Sequence, residues 1–133
     1  LGADAKAGSA RTAIARVADN PALKDDLEGV GLYAQPHGKG YLVVSSQGNN
    51  TYAVFRREGA NAYVGSFAVT ANGGNGVDGV SETDGLDVSS ASFGAGLEAG
   101  AFVAQDGRNI SPPEAQNFKL VPWADIAAKL GLK

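Results

Sequence analysis

Three features of this sequence predict an all-β fold of antiparallel meanders: short β-rich runs parted by glycine turns, a second cycle of runs that repeats the first, and one change of period near the C-terminal end. The first cycle runs Val30 to Tyr33, Tyr41 to Ser46, Thr51 to Arg57 and Ala62 to Thr70. Its separators are Pro36-His37-Gly38-Lys39-Gly40, Gln47-Gly48-Asn49-Asn50 and Glu58-Gly59-Ala60-Asn61. Connections this short join strands only antiparallel and in order. In the third run Tyr52, Val54 and Arg56 alternate with Thr51, Ala53, Phe55 and Arg57, the period of a strand packed on both faces.

The second cycle is Leu86 to Ser89, Ala101 to Gln105 and Gln116 to Val121, with a glycine-rich connection from Phe93 to Gly100 and a loop at Pro112-Pro113. The period then changes. Trp123, Ile126, Ala127 and Leu130 fall at helical spacing with Pro122 at the start, so residues 122–131 predict a short terminal helix. Upstream, residues 1–10 are small and polar and predict a loose arm, and Thr12 to Ala18 alternate as a short strand. Asn20-Pro21 breaks the chain ahead of an acidic loop, Lys24-Asp25-Asp26-Leu27-Glu28-Gly29.

The two cycles superimpose. Glu28-Gly29 matches Asp84-Gly85 before the first strand, Tyr41 to Gly48 matches Ala101 to Gly107 at the second strand and its turn, and Tyr52-Ala53-Val54 matches Phe118-Lys119-Leu120 at the third. The offset is 56 residues between Glu28 and Asp84, and 58 between Gln47 and Gln105. A four-stranded repeat of this kind is the sign of a β-propeller blade. A ring takes about four to eight blades, so the antiparallel four-stranded meanders here amount to about two blades of a larger propeller. The first strand of each blade lines the central channel, which predicts that Glu28 and Asp84 are neighbours and that Asp26 and Asp78 lie in the same two loops.

Those loops carry the charge. Asp78-Gly79-Val80-Ser81-Glu82-Thr83-Asp84-Gly85-Leu86-Asp87 holds four carboxylates, and no Lys or Arg occurs from Gly59 to Gly107. Crowded like charges raise one another's pKa unless a positive group sits among them. Oxygen donors of this type suit a hard cation, although acidic runs most often mark solvated segments.

Composition narrows the function classes. The 133 residues allow one domain with a modest core, and a 44% hydrophobic fraction is globular. A net charge of -3 argues against a nucleic-acid partner, and no apolar run reaches membrane-span length. With no cysteine there is no disulfide, zinc finger or thiol catalysis. The chain begins at Leu1 and has no methionine, which predicts a processed chain or a piece of one.

Smaller motifs carry little. Gly73 to Ser81 fits the calcium-binding nonapeptide of β-roll proteins, but such proteins bind calcium between stacked repeats and this motif occurs once. No EF-hand pattern is present. His37, the only histidine, sits in a proline-glycine turn, so the serines lack a partner for a hydrolase triad. Trp123 reads as the anchor of the terminal helix. Arg56 and Arg57 face opposite sides of their strand, so only one of them can meet a phosphate.

Five segments together resemble the C-terminal part of the β-propeller phytases. They are 24–29; 39–49, Lys-Gly-Tyr-Leu-Val-Val-Ser-Ser-Gln-Gly-Asn; 78–88, from Asp78 to Val88; 102–109, Phe-Val-Ala-Gln-Asp-Gly-Arg-Asn; and 116–123, Gln-Asn-Phe-Lys-Leu-Val-Pro-Trp. The resemblance spans most of this chain but only the last third of a typical member. It implies a six-bladed propeller that hydrolyses phosphate monoesters of myo-inositol hexakisphosphate with calcium as cofactor, in a secreted or periplasmic setting. Residue by residue, it implies that Glu28 and Asp84 are cleavage-site carboxylates holding calcium, that Asp26 and Asp78 belong to the calcium site, and that Gln47 is an oxygen donor. Asp106, with Asn109 beside it, completes the implied set. The family's phosphate-gripping lysines and arginines come from earlier blades, so the remaining blades are implied partners and the chain alone is expected to be inactive. Two alternatives stand beside this one: a non-catalytic propeller segment with structural calcium, and a β-roll-like calcium module.

Overall fold

The computed structural model describes residues 12–111 and 113–133. Its architecture is all-β with one terminal helix. The first sheet contains β1 (Val30–Ala34), β2 (Gly40–Ser46), β3 (Thr51–Arg56) and β4 (Tyr63–Phe67), in that spatial order and antiparallel throughout. The second contains β5 (Leu86–Ser89), β6 (Ala101–Asp106) and β7 (Asn117–Pro122), again in order. Helix α1 (Trp123–Leu130) follows directly and ends at Gly131, whose left-handed backbone lets the Leu132 N–H reach the Ala127 carbonyl.

Three expectations are corrected. The second sheet has three strands among the described residues rather than four, because Pro122 ends β7 and the chain turns into α1. The strand expected from Thr12 to Ala18 is replaced by extended chain and a 3-10 turn, Val17–Asp19, with Ala15 and Val17 packing on Leu23 and Phe55. The fourth strand ends at Phe67 and not at Thr70, since the Val69 carbonyl is taken by the Val80 N–H and Asn72 bridges to Val77. The Gly73 to Ser81 motif is thus the tip and return of a tight loop. The expected arm at residues 1–10 lies outside the described residues.

Strand register tests the internal repeat directly. Val30 stands opposite Val44 as Leu86 stands opposite Ala104, and Ser45 stands opposite Tyr52 as Gln105 stands opposite Phe118. The match of Tyr52 with Phe118 is therefore borne out. Gln105, however, occupies the place of Ser45, and the place of Gln47 falls to Gly107, two residues from the expected pairing.

The core lies between the sheets. One face of the first sheet, carrying Tyr33, Tyr41, Val43, Tyr52, Val54 and Phe67, packs on Val88, Phe102 and Ala104 of the second and on Trp123 and Ile126 of the helix. Trp123 stacks on Tyr33 with ring centroids 4.0 Å apart, which fixes the helix over the end of β1. Phe102 meets Tyr52 and Phe67 edge-on. On the opposite face Ala53 and Phe55 are buried under Leu23, so β3 is packed on both sides as its alternation predicts.

Glycines allow the two first strands to touch. A methyl group built on Gly29 would lie 3.0 Å from the Leu86 nitrogen and 3.4 Å from the Asp84 carbonyl, and one on Gly31 would lie 2.9 Å from a Val88 methyl. Side chains there would hold the sheets apart. Close contact of β1 with β5 is what brings the two acidic loops to one edge.

Candidate active site

The loops that precede β1 and β5 are held by the same device. In the first, Ser45 Oγ accepts the Glu28 N–H at 3.1 Å and the Gly29 N–H at 2.7 Å. In the second, Gln105 Oε1 accepts the Asp84 N–H at 2.8 Å. Ser45 and Gln105 share one register position, and both are buried. Each aims a side-chain oxygen at the amide of the carboxylate residue that precedes the strand. Gln105 is itself oriented by Gln116, whose Oε1 accepts from Gln105 Nε2 at 3.0 Å.

Glu28 and Asp84 are thereby brought to adjoining strand starts, with their carboxylates exposed to solvent. Gln47 links the two: its Nε2 donates to Asp84 Oδ1 at 2.9 Å, while its backbone N–H donates to the Asp26 carbonyl at 3.0 Å. Asp26, Glu28 and Asp84 take part in no ion pair among the described residues. Asp26, Glu28 and Asp84 are thus exposed carboxylates on one edge, of which Asp84 is held by the Gln47 amide. No three acidic or histidine side chains converge into a ready-made metal cage among the described residues.

Asp78 and Asp106 belong to a second cluster with different partners. Both are buried, and the Lys119 ammonium lies between them, 2.7 Å from Asp78 Oδ1 and 3.1 Å from Asp106 Oδ2. Asn117 and Asn109 turn their carbonyl oxygens to the same nitrogen at 2.7 and 3.2 Å. Asp78 Oδ2 accepts the Ile110 and Ser111 N–H groups at 2.7 and 3.1 Å, and Asp106 Oδ1 accepts the Ser81 N–H at 3.1 Å. The Lys119 contact, and then the Ile110 amide, hold the Asp78 carboxyl down at about 2. Burial lowers the Lys119 pKa, but its two carboxylate partners outweigh that and leave it raised.

The acidic loop between the clusters is tied at several further points. Thr83 Oγ1 meets the buried Tyr52 hydroxyl at 2.5 Å, and the Glu82 N–H donates to Asn50 Oδ1 at 2.8 Å. Glu82 has a left-handed backbone and pairs with Arg108 at 2.6 Å, an exposed contact of small energy. Loop 81–85 is fixed together by groups from the turn 47–50, from β3 and from β6.

A family model described as Phytase matches residues 1–133. The chain belongs to the phytase family. It is 50% identical over 111 residues to the 3-phytase of Bacillus subtilis (strain 168), an alignment covering 82% of this chain and 28% of that relative. The chain thus spans roughly a quarter of the length of the curated phytase it matches. No helix among the described residues is long and apolar enough to cross a membrane.

Several residues of this phytase segment were not legible as site residues. Ser45 and Gln105 act through backbone amides, which leave no spacing signature. Lys119 sits in a strand whose apolar neighbours Phe118 and Leu120 point outward, the reverse of the usual pattern. Of the expected set, Glu28, Asp84, Gln47 and Asp26 fall on one edge, and Asp78, Asp106 and Asn109 gather around Lys119. His37 is exposed at the turn with φ 61°, as its proline-glycine setting predicts.

Proposed function

We propose that this chain is the C-terminal part of a six-bladed β-propeller phytase and contributes one wall of a calcium-dependent site that hydrolyses phosphate monoesters of myo-inositol hexakisphosphate. The observation that carries this reading is the joining of the Glu28 and Asp84 loops by the Gln47 to Asp84 hydrogen bond. Membership of the phytase family supplies the chemistry. By the same family resemblance the setting is secreted or periplasmic.

Calcium held by Asp26, Glu28 and Asp84 would neutralise phosphate oxygens and acidify the attacking water. The chain's own residues prepare that site. Ser45 and Gln105 fix the backbone of the two carboxylates, and Gln47 orients Asp84. Water adds to phosphorus, the P–O bond to the inositol oxygen breaks, and the proton passes to the departing alcohol. A covalent nucleophile is unnecessary, in keeping with a sequence that has no cysteine and one exposed histidine.

The same reading explains the bare side of the second sheet. Phe118 is 69% exposed and Leu120 57%, at positions equivalent to the buried Tyr52 and Val54. In a complete propeller the next blade covers them. Basic residues that grip phosphate would come from the other blades, so the isolated chain is expected to release little or no phosphate.

The test is to join this chain to the upstream blades and assay phosphate release from inositol hexakisphosphate with and without a chelator, beside Glu28→Ala and Asp84→Ala. Calcium-dependent release lost in both variants supports the proposal. Full activity in both variants removes the assigned site, and stabilisation by calcium without phosphate release assigns the ion a structural role instead.

A further inference from the structure

The family resemblance assigns Asp78 and Asp106 to calcium, but the pocket that holds them is filled from within. Four side-chain oxygens, from Asp78, Asp106, Asn109 and Asn117, surround Lys119 Nζ at 2.7 to 3.2 Å. These are ammonium hydrogen-bond and ion-pair lengths, whereas calcium takes its oxygens at about 2.3–2.6 Å. Lys119 is 9% exposed and Asp106 fully buried, so water does not screen the contacts. For calcium to use Asp78 Oδ1 and Asp106 Oδ2, the ammonium would have to leave or remain as a like charge beside it.

Asp78 Oδ1 shows the fit most directly. It is buried, no other group among the described residues hydrogen-bonds to it, and the Lys119 ammonium pairs with it at 2.7 Å. A buried carboxylate oxygen without a counter-charge is costly. The lysine is therefore the counter-charge on which this oxygen depends.

We infer that Lys119 is the resident cation of the Asp78–Asp106 pocket, that it positions the acidic loop carrying Asp84, and that calcium is left to the exposed carboxylates Asp26, Glu28 and Asp84. The last part rests on the calcium reading above. The positioning route is explicit: Lys119 holds Asp78 at the start of the loop and Asp106 at the end of β6, and Asp106 holds the Ser81 amide. Three residues on stands Asp84, whose amide is fixed by Gln105. Lys119 touches no reacting atom in this scheme, so it is a positioning residue.

The test is nuclear magnetic resonance on the 15N-labelled chain, with calcium chloride as the probe. Lys119 should give a slowly exchanging ammonium signal, assigned by its absence in Lys119→Met, that persists when calcium saturates the chain while the Gln47 side-chain amide signals shift. Loss of the protected signal on adding calcium, or its absence at the outset, overturns the inference. Calorimetry gives a second measurement: Asp78→Asn keeps Lys119 paired with Asp106 and should leave calcium affinity within about twofold, whereas Asp84→Asn lowers it by about tenfold or more. A folded Asp78→Asn chain that no longer binds calcium would falsify the assignment. A protected ammonium in a chain that binds no calcium would support Lys119 as resident cation and remove the calcium reading of Glu28 and Asp84 instead.

Discussion

Gln47 Nε2 donates a 2.9 Å hydrogen bond to Asp84 Oδ1, joining residues 37 positions apart across the seam between the two sheets. The bond orients the Asp84 carboxylate. Gln47→Glu replaces the donor by a second carboxylate beside Asp84, with like-charge repulsion in place of attraction. The expected outcome is a melting temperature a few degrees lower in chelator, about 1 kcal/mol of stability, recovered or exceeded when calcium is added. Thermal unfolding with and without calcium measures both arms, and equal melting temperatures in chelator would separate Gln47 from Asp84.

Ser45 and Gln105 occupy one register position and do the same work in two loops. Ser45→Ala strands the Glu28 and Gly29 amides, and Gln105→Leu strands the Asp84 amide and Gln116. Each should cost about 1–3 kcal/mol, the range for a buried polar group left without its partner. Urea denaturation reads the loss. A change below about 0.5 kcal/mol in both, the level of an ordinary surface substitution, would mean that water replaces these acceptors.

Tyr52 links stability to alkaline pH. Burial pushes its phenol up to about 12 from the ordinary tyrosine value of 10.0, with the Thr83 hydrogen bond opposing the rise and the nearby Asp106 charge adding to it. A raised folded pKa makes its contribution complete below the unfolded value. That contribution is lost as pH climbs from 10 toward 12. Tyr52→Phe should therefore be less stable near neutrality, by about 1 kcal/mol, and show a shallower fall above pH 10. Parallel curves for the two chains would place the alkaline loss elsewhere.

Gly100 precedes β6 with φ 92°, and a methyl group built on it would lie 2.0 Å from the Ser89 carbonyl oxygen. Gly40, the first residue of β2, stands in the same way, a methyl group there lying 2.1 Å from the Tyr33 oxygen. Gly100→Ala must shift backbone rather than a side chain. The expected result is a loss of about 3 kcal/mol or more, or no soluble protein. Gly38→Ala is the control, since nothing lies within 4 Å of a methyl group there, leaving only the backbone preference at φ 73°.

Phe118 tests the larger assembly. In this chain alone Phe118→Ser should change stability by less than about 0.5 kcal/mol, because the ring is exposed. Joined to the other blades it should cost about 3 kcal/mol, as for a buried aromatic. An unchanged melting temperature in the joined protein would leave this face uncovered and the proposed ring unclosed at that edge.

By itself the sequence determined the two meanders, the repeat that pairs Glu28 with Asp84, the terminal helix and the family. The meanders, the repeat and the helix follow from period, turn residues and spacing, which are local and additive along the chain, and the family follows from the motifs that resemble it. Only the tertiary structure decided which polar groups meet. Lys119 lies between Phe118 and Leu120, and alternation alone would turn the two apolar side chains inward and the lysine out. The fold does the reverse, because the face bearing Lys119 meets Asp78 and Asp106 from a distant loop and a neighbouring strand, while among the described residues no second sheet lies against the apolar face. The roles of Ser45 and Gln105 were likewise settled by register, since a hydrogen bond to a backbone amide depends on where two strands lie and not on the identity of the residue that offers the amide.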